Sequence, residues 1–540
     1  MKEEIQHLEA IQSKGFLGRL LGYGKMTGPG WLQAAVTLGG GSLAGALYLG
    51  VVAGYSLMWL QPLAMICGVI MLIALSHVTL SNKEYPFNNV KKAISPTLAW
   101  GWLGATVIAN VVFCTAQASL GVATAQQNLG LGSVSPYVIT LALALIAFGS
   151  GTLYALGSQA IKRLETVLKL LVAMVMISFA AAAGFLLFSG KIDIGAVLMG
   201  LIPNPKSLFT PAASLDSLIT ATGSSADYWS NYIADTQRSR IIAAFGSAVG
   251  INMTFLLPYT LVKRGWTKSH RELSRFDLVI ALFTPFAIAT ALLVICAAAS
   301  FHAQTDDVLD EFGQPRAALE GGYYKILDQR LALEADLPAD ITERRVLANA
   351  LPEADRMLAA ALTNRDAKQL ATTLAPLMGE RVANIVFGLG ILAMALSTMM
   401  VHALMNGFAI SQAVGKPGKA APFVVGAAMP ALLAIFAPLA WTGDAKTALV
   451  IPAVVIANLF LPIAYLAILL LINSPQVIEK KDRPSSLINI LLIFSASVAT
   501  CGSVWTLWHK GTPGMIGISG LVVISLIGIV GYKKNSASAN

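Results

Sequence analysis

The chain has 540 residues, of which 56% are apolar and 12% charged, and its mean hydropathy is +0.69. Soluble domains carry about 25% charged residues, so much of this surface must face lipid; disordered, coiled-coil, collagenous and disulfide-stapled secreted classes are excluded. The net charge of +9 sits in short loops between apolar runs, which is a topology signal, and no nucleic-acid partner is expected.

Residues 1–26 form a charged segment without a cleavable apolar stretch, expected on the cytoplasmic side. Twelve apolar runs follow. They are read as spans at about 27–52, 55–80, 97–127, 134–157, 160–189, 238–262, 276–301, 382–411, 421–441, 446–473, 486–508 and 514–532. Cys67, Cys114, Cys296 and Cys501 all fall inside these runs, with no disulfide framework or zinc spacing. Basic residues mark alternate loops: Lys83, Lys91 and Lys92; Lys162 and Arg163; Lys263, Arg264, Lys268, Arg271 and Arg275; Lys480, Lys481 and Arg483. The opposite loops hold none between spans three and four and only Lys446 between nine and ten. This bias predicts a protein of the cell (inner) membrane with both termini in the cytoplasm. Two segments on the other side exceed simple turns. Residues 190–237 contain Pro203, Pro205 and Pro211, and residues 302–380 carry 14 acidic against 8 basic residues. The second reads as a cap of short amphipathic helices, such as Ala354 to Leu362 and Arg365 to Leu374.

Intramembrane polar groups are costly, so their positions are informative. No Asp or Glu lies in the middle of a span; Glu165 and Asp277 lie near the ends of spans five and seven, and Lys169 is spaced to pair with Glu165 along one helix. Span one contains Thr37-Leu38-Gly39-Gly40-Gly41-Ser42. Each glycine disfavours helix by about 1 kcal/mol relative to alanine, which predicts an unwound stretch. Span six carries a second interruption, Val249-Gly250-Ile251-Asn252, with Pro258 beyond it. Gly41 with Gly45 and Gly246 with Gly250 also have the spacing of close helix packing. Matched interruptions five helices apart are the mark of an inverted-repeat transporter with a mid-depth site. The candidate substrate-binding residues are Gly39, Gly40, Gly41, Ser42, Gly250, Ile251, Asn252, Ser397 and Thr398, with Ser42 and Asn252 as weak metal ligands. His402 and Asn458 are candidates for a proton or polar relay, and Asn110, Thr115, Gln117, Ser119 and Asn406 for helix-to-helix hydrogen bonds. No Ser-His-Asp order, phosphate-binding loop or His-Glu-x-x-His motif occurs, so neither an enzyme nor a cofactor is expected.

Several segments resemble the NRAMP family of proton-coupled divalent-metal transporters: Gly28-Pro29-Gly30 at the start of span one, Gly157 to Glu165 with Lys162-Arg163-Leu164-Glu165, Gly246 to Val262, Ser397-Thr398, and Leu461-Pro462. The resemblance implies an all-α membrane protein with a LeuT-type core of two inverted five-helix repeats and two additional C-terminal helices, about twelve in all. The repeats would occupy 27–189 and 238–473, the latter interrupted by 302–380, with 190–237 between them and the accessory spans and tail in 474–540. It also implies a divalent metal cation as cargo, carried by symport and alternating access. The departures fall on the chemistry. The family's Asp-Pro-Gly-Asn is matched by Gly39-Gly40-Gly41-Ser42 and its Met-Pro-His by Gly250-Ile251-Asn252, so carboxylate, thioether and histidine are expected to be missing. The acidic pair of helix three falls near Ala116 and Ser119. Two other readings follow from these losses: a transporter of an amino acid or small organic acid held by bared backbone N–H groups, and a transporter-derived sensor without turnover.

Overall fold

The computed structural model describes residues 2–82, 84–155, 158–333, 337–365, 367–372, 375, 379–440 and 451–537. Lys83, Gly157 and Lys446, used above, lie outside the described residues. Within these limits the secondary structure is helical apart from one isolated bridge between Leu309 and Pro315.

Two short helices, α1 (Lys2–Gln12) and α2 (Phe16–Met26), lead into span one. That span is two helices, α3 (Pro29–Thr37) and α4 (Gly40–Ala53), bent by 52°. Then come α5 (Leu60–Asn82), a loop helix α6 (Pro86–Ala93), α7 (Pro96–Gln127), α8 (Pro136–Ala155) and α9 (Ser158–Phe188). Span six is again split, into α10 (Ala226–Ala248) and α11 (Met253–Lys263), and α12 (Lys268–Phe301) forms span seven. After the cap follow α16 (Glu380–Ala413), α17 (Ala420–Ala434), the pair α18 (Ile451–Leu459) and α19 (Leu461–Ile472), and the C-terminal α20 (Ser486–Trp508) and α21 (Gly511–Ala537). Among the described residues ten helices are individually long and apolar enough to cross a membrane, and the bent α3/α4 pair makes up to eleven.

Span six fails that hydropathy test for a physical reason. Its first half starts at Ala226, within the segment read as a loop, and carries Asp227, Asp235, Arg238 and Arg240. Asp227 and Asp235 are exposed, Arg238 pairs with Asp235 at 3.0 Å and donates from Nε to Leu208 O at 3.0 Å, and the Arg240 guanidinium lies 3.9 Å from the Tyr48 ring centre. The first half α10 packs against α4, α5 and α18, and α11 against α3, α5 and α16. The two split spans therefore lie side by side, each half of one against a half of the other.

The cap consists of α13 (Glu320–Leu331), α14 (Ile341–Ala350) and α15 (Glu353–Leu362), with a further helix at Ala367–Thr372. Its apolar core is shared with the membrane helices, since Tyr48 and Val52 of α4 and Trp229 and Ile233 of α10 cluster with Tyr323, Leu327 and Leu358. Asp355 is fully buried, accepts from Trp229 Nε1 at 2.5 Å, and has Arg330 Nε at 3.4 Å. Arg365 grips Asp307 through Nε at 2.9 Å and Nη2 at 2.8 Å, and also donates to the carbonyls of Ala360, Ala361 and Thr363. Buried charges are tolerated only with partners of this kind.

Away from the cap, α2 packs on the start of α12, and Asn535 Nδ2 donates to Ile94 O at 3.3 Å. The helices α20 and α21 lie on the outside of the bundle, with Leu487, Ile490, Ile516 and Val530 bare of protein contacts, as lipid-facing surface requires. The loop before α20 is tied down by Asp482, which accepts from Lys268 Nζ at 2.5 Å and Arg271 Nη1 at 3.0 Å. These cations hold its carboxyl at about 2, below the usual 3.8. A depressed folded value gives stabilisation that is complete above the unfolded value and lost as the pH falls through about 2. Asp482→Asn is thus expected to melt below the unsubstituted protein at pH 5, with the gap closing as both are titrated toward pH 2.

Candidate substrate site between the broken helices

The unwinding in span one is narrower than the glycine run. Only Leu38 (φ −78°, ψ 58°) and Gly39 (φ −113°, ψ −176°) leave the helical region; Gly40 and Gly41 already form the first turn of α4. A helix end leaves backbone groups orphaned, and here neighbouring helices supply partners. Gln117 Oε1, from α7, accepts from Gly40 N at 3.1 Å. At the end of α3, Ala34 O accepts from Leu38 N, Ala35 O from Ser397 Oγ at 2.9 Å and Thr398 Oγ1 at 3.4 Å, and Thr37 O from Ser42 Oγ at 2.5 Å. Of the last four carbonyls of α3, that of Val36 accepts no hydrogen bond among the described residues. Gly39 is needed for closeness rather than for its dihedral angles: a Cβ there would stand 2.4 Å from Thr398 Oγ1.

In span six, α10 ends at Ala248 and Val249 is extended. The chain restarts with Met253 N on Gly250 O at 3.1 Å. Asn252 caps this start, its Oδ1 accepting from Met253 N at 3.1 Å while its Nδ2 donates to Asn110 Oδ1 at 3.1 Å. Gln33 Nε2 reaches Met253 O at 3.3 Å, and Thr37 Oγ1 lies 3.5 Å from Met253 Sδ. The two breaks are thereby stitched to each other and to α7.

Between them lies a cavity of about 30 Å³, lined by Val36, Thr37, Gly39, Gly41, Ser42, Phe113, Gln117, Gly250, Asn252, Met253, Thr398 and His402. That is room for about two water-sized groups. Among the sequence candidates, Gly39, Gly41, Ser42, Gly250, Asn252, Thr398 and His402 come together on its wall. Gly40, Ile251 and Ser397 do not: Gly40 turns its N–H to Gln117, Ile251 is fully buried in the apolar core, and Ser397 is spent on Ala35 O. Asn458 is elsewhere, donating to Ile242 O at 3.1 Å on α10. Asn406 bonds Gly426 O, Ser119 bonds Ala437 O, and Thr115 bonds carbonyls of its own helix.

Three expectations need correction. A thioether is present: Met253, one residue past the interruption, reaches the cavity. The register of α7 places Phe113 and Gln117 on the cavity wall, while Ala116 lies in the apolar core and Ser119 faces Ala437. Glu165 pairs with Arg264 of the loop after α11, not with Lys169, whose ammonium stands 5.7 Å above the Trp31 ring. No signal in the local sequence marks these long-range placements. Among the described residues no group of three or more His, Cys, Asp or Glu side chains comes together.

The Arg264–Glu165 pair belongs to a second feature. Asp277 is buried and caps α3, its Oδ1 accepting from Gly28 N at 2.9 Å and its Oδ2 from Gly30 N at 2.6 Å. A carboxylate suits the positive end of a helix. Gly28 and Gly30 are required by close approach, since Cβ atoms there would lie 2.0 Å from Arg264 Nη2 and 2.5 Å from Asp277 O. This cluster fastens the start of α3 to α12 and to the loop after α11.

Two split spans meeting at a buried cavity, within ten core spans and two peripheral ones among the described residues, define an all-α multi-pass membrane protein of the LeuT-type fold. The family model for natural resistance-associated macrophage protein-like (Nramp) proteins matches residues 30–326 and 348–509, most of the chain, and the protein belongs to this family. It is 26% identical over 178 residues to the metal transporter Nramp2 of Oryza sativa subsp. japonica, a match covering 33% of this chain and 32% of that protein. The chain thus spans about a third of the length of this curated relative. Crystal structures of the manganese transporter of Eremococcus coleocola share the fold. A histidine-to-alanine variant gives a TM-score of 0.57 at 14% identity, and a glutamate-to-glutamine variant 0.57 at 15%, each covering 97% of this chain and 95% of that one.

Proposed function

We propose that the protein carries a divalent metal cation across a cell membrane by alternating access, holding it in the cavity between the two broken helices. The observation that carries this reading is the cavity itself, placed at the crossing of spans one and six in a chain of the Nramp family. Its relatives are named as a metal transporter and a manganese transporter. The free carbonyl of Val36, the Ser42 and Thr398 hydroxyls and the Met253 sulfur offer lone pairs to a cation. Gln117 Nε2 is buried without a partner, and its N–H groups face acceptors of the kind that water retained by the cation provides. Mg²⁺ and similar ions give up water reluctantly, so a partly hydrated cargo suits a wall without carboxylates. A space of about 30 Å³ does not hold an amino acid or an organic acid.

The basic residues Lys91, Lys92, Lys162, Arg163, Lys263 and Arg264 favour a cytoplasmic orientation for the face with the termini, and the Asp277 cluster would then gate the cytoplasmic side. The test is uptake into proteoliposomes of Mn²⁺, Co²⁺ and Mg²⁺ beside a panel of amino and carboxylic acids. Metal flux without organic flux is expected. Uptake of an organic acid with no metal flux would overturn the assignment, and tight metal binding without any flux would turn the protein into a sensor.

A further inference from the structure

We infer that His402 is a ligand of the cargo, bringing an imidazole nitrogen into the site from span eight and tilting the site toward borderline transition-metal ions. This rests on the cavity being the cargo site. His402 is 1% exposed, lies one turn after Thr398 on α16, and lines the cavity. Its Nδ1 is 2.7 Å from Thr398 O. A carbonyl can only accept, so Nδ1 carries the proton of the neutral ring and Nε2 keeps its lone pair. That arrangement, one nitrogen anchored on a carbonyl and the other free, is the one metal-binding histidines adopt, because the anchor fixes tautomer and ring orientation. The ring also stacks on Phe113, with centroids 5.3 Å apart and planes 22° from parallel, so its rotation is restrained from a second side.

Among the described residues nothing hydrogen-bonds to Nε2. The ring carrying this nitrogen lines the cavity, so its lone pair is available to whatever occupies that space. The remaining wall consists of hydroxyls, carboxamides, main-chain carbonyls and one thioether. Against these, imidazole nitrogen is the strongest donor to Co²⁺, Zn²⁺ or Cd²⁺ and adds little for Mg²⁺ or Ca²⁺, which favour oxygen. The site accordingly ranks Co²⁺, Zn²⁺ and Cd²⁺ above Mn²⁺, and Mn²⁺ above Mg²⁺. The nitrogen partly takes the place of the carboxylate that the glycine run of span one lacks.

The experiment titrates the purified full-length protein with Co²⁺ and with Mg²⁺ by calorimetry, and records cobalt K-edge X-ray absorption of the loaded, unsubstituted protein. The expected spectrum contains imidazole scattering. His402→Ala and His402→Gln, the second keeping side-chain volume and a donor for Thr398 O, are each expected to weaken Co²⁺ binding by about tenfold or more, His402→Ala at a lowered melting temperature and His402→Gln near that of the unsubstituted protein. Wild-type Co²⁺ affinity in a folded His402→Gln protein, or a spectrum without imidazole, overturns the inference. Should neither variant fold, the spectrum of the unsubstituted protein decides alone. His402-dependent binding in a protein that moves no metal sustains this inference and removes the transport reading. Metal flux with His402-independent binding does the reverse.

Discussion

Gly39→Ala is expected to lower metal uptake about a hundredfold while leaving the protein folded. The backbone at Gly39 is extended, at φ −113° and ψ −176°, so alanine meets no dihedral strain there. The obstacle is contact: the new methyl would lie 2.4 Å from Thr398 Oγ1, 3.2 Å from Thr398 Cγ2 and 3.1 Å from Val36 O. Relief requires moving either the threonine away from Ala35 O or the Val36 carbonyl, and both border the cavity. A displacement of about 1 Å at a reacting or binding centre costs on the order of a hundredfold. Uptake and melting temperature, measured together, separate a lost site from a lost fold. Thr398→Ala placed on top of Gly39→Ala should recover part of the flux, because it removes both clashing threonine atoms. Full uptake by the single variant would show that the segment yields without consequence.

Asp277→Asn is expected to loosen the fastening of α3 at Gly28 and Gly30 and shift the protein toward a state open on the face of the termini. The carboxylate accepts from two backbone N–H groups, those of Gly28 and Gly30. An asparagine supplies one oxygen and turns an NH₂ toward the second donor. It also removes a buried negative charge next to Arg264, which pairs with Glu165 and reaches Met26 O at 3.4 Å. Loss of one partner in such a buried charge cluster costs roughly 3–5 kcal/mol. Spent on the closed conformation, the lower figure already multiplies the open population about a hundredfold. A cysteine at Leu32, which is 1% exposed, should then react far faster with a membrane-impermeant thiol reagent in the Asp277→Asn background. An unchanged labelling rate would mean that the cluster stabilises the fold without gating it.

How much of this was legible in the sequence depends on the range of the interactions. Hydropathy located the apolar spans, because lipid imposes its demand on each segment separately. It missed the polar first half of the sixth broken helix, whose charges are met by an Asp235–Arg238 pair on the helix itself and by Leu208 O and the Tyr48 ring across the bundle. The interruptions at Gly39 and at Val249 to Asn252 were legible from glycine content. Their extent was not, since Gly40 is drawn into α4 by Gln117, 77 residues away. The same limit explains why Met253 and Phe113 escaped notice and why Glu165 chose Arg264. A side chain's partner across the bundle leaves no periodic trace in its own neighbourhood. The resemblance supplied the fold and the positions to inspect, while the altered residues at those positions left the chemistry to be read from geometry.

Every described residue lining the cavity is formally neutral, and His402 is the one titratable group among them. Under the proposed function such a carrier would return empty with no fixed charge to drag through the field, whereas its loaded passage would move the whole charge of the ion. For a dication at 100 mV the electrical work is about 4.6 kcal/mol, twice the 2.3 kcal/mol per elementary charge. At about 1.4 kcal/mol per factor of ten, voltage alone would sustain a gradient above a thousandfold.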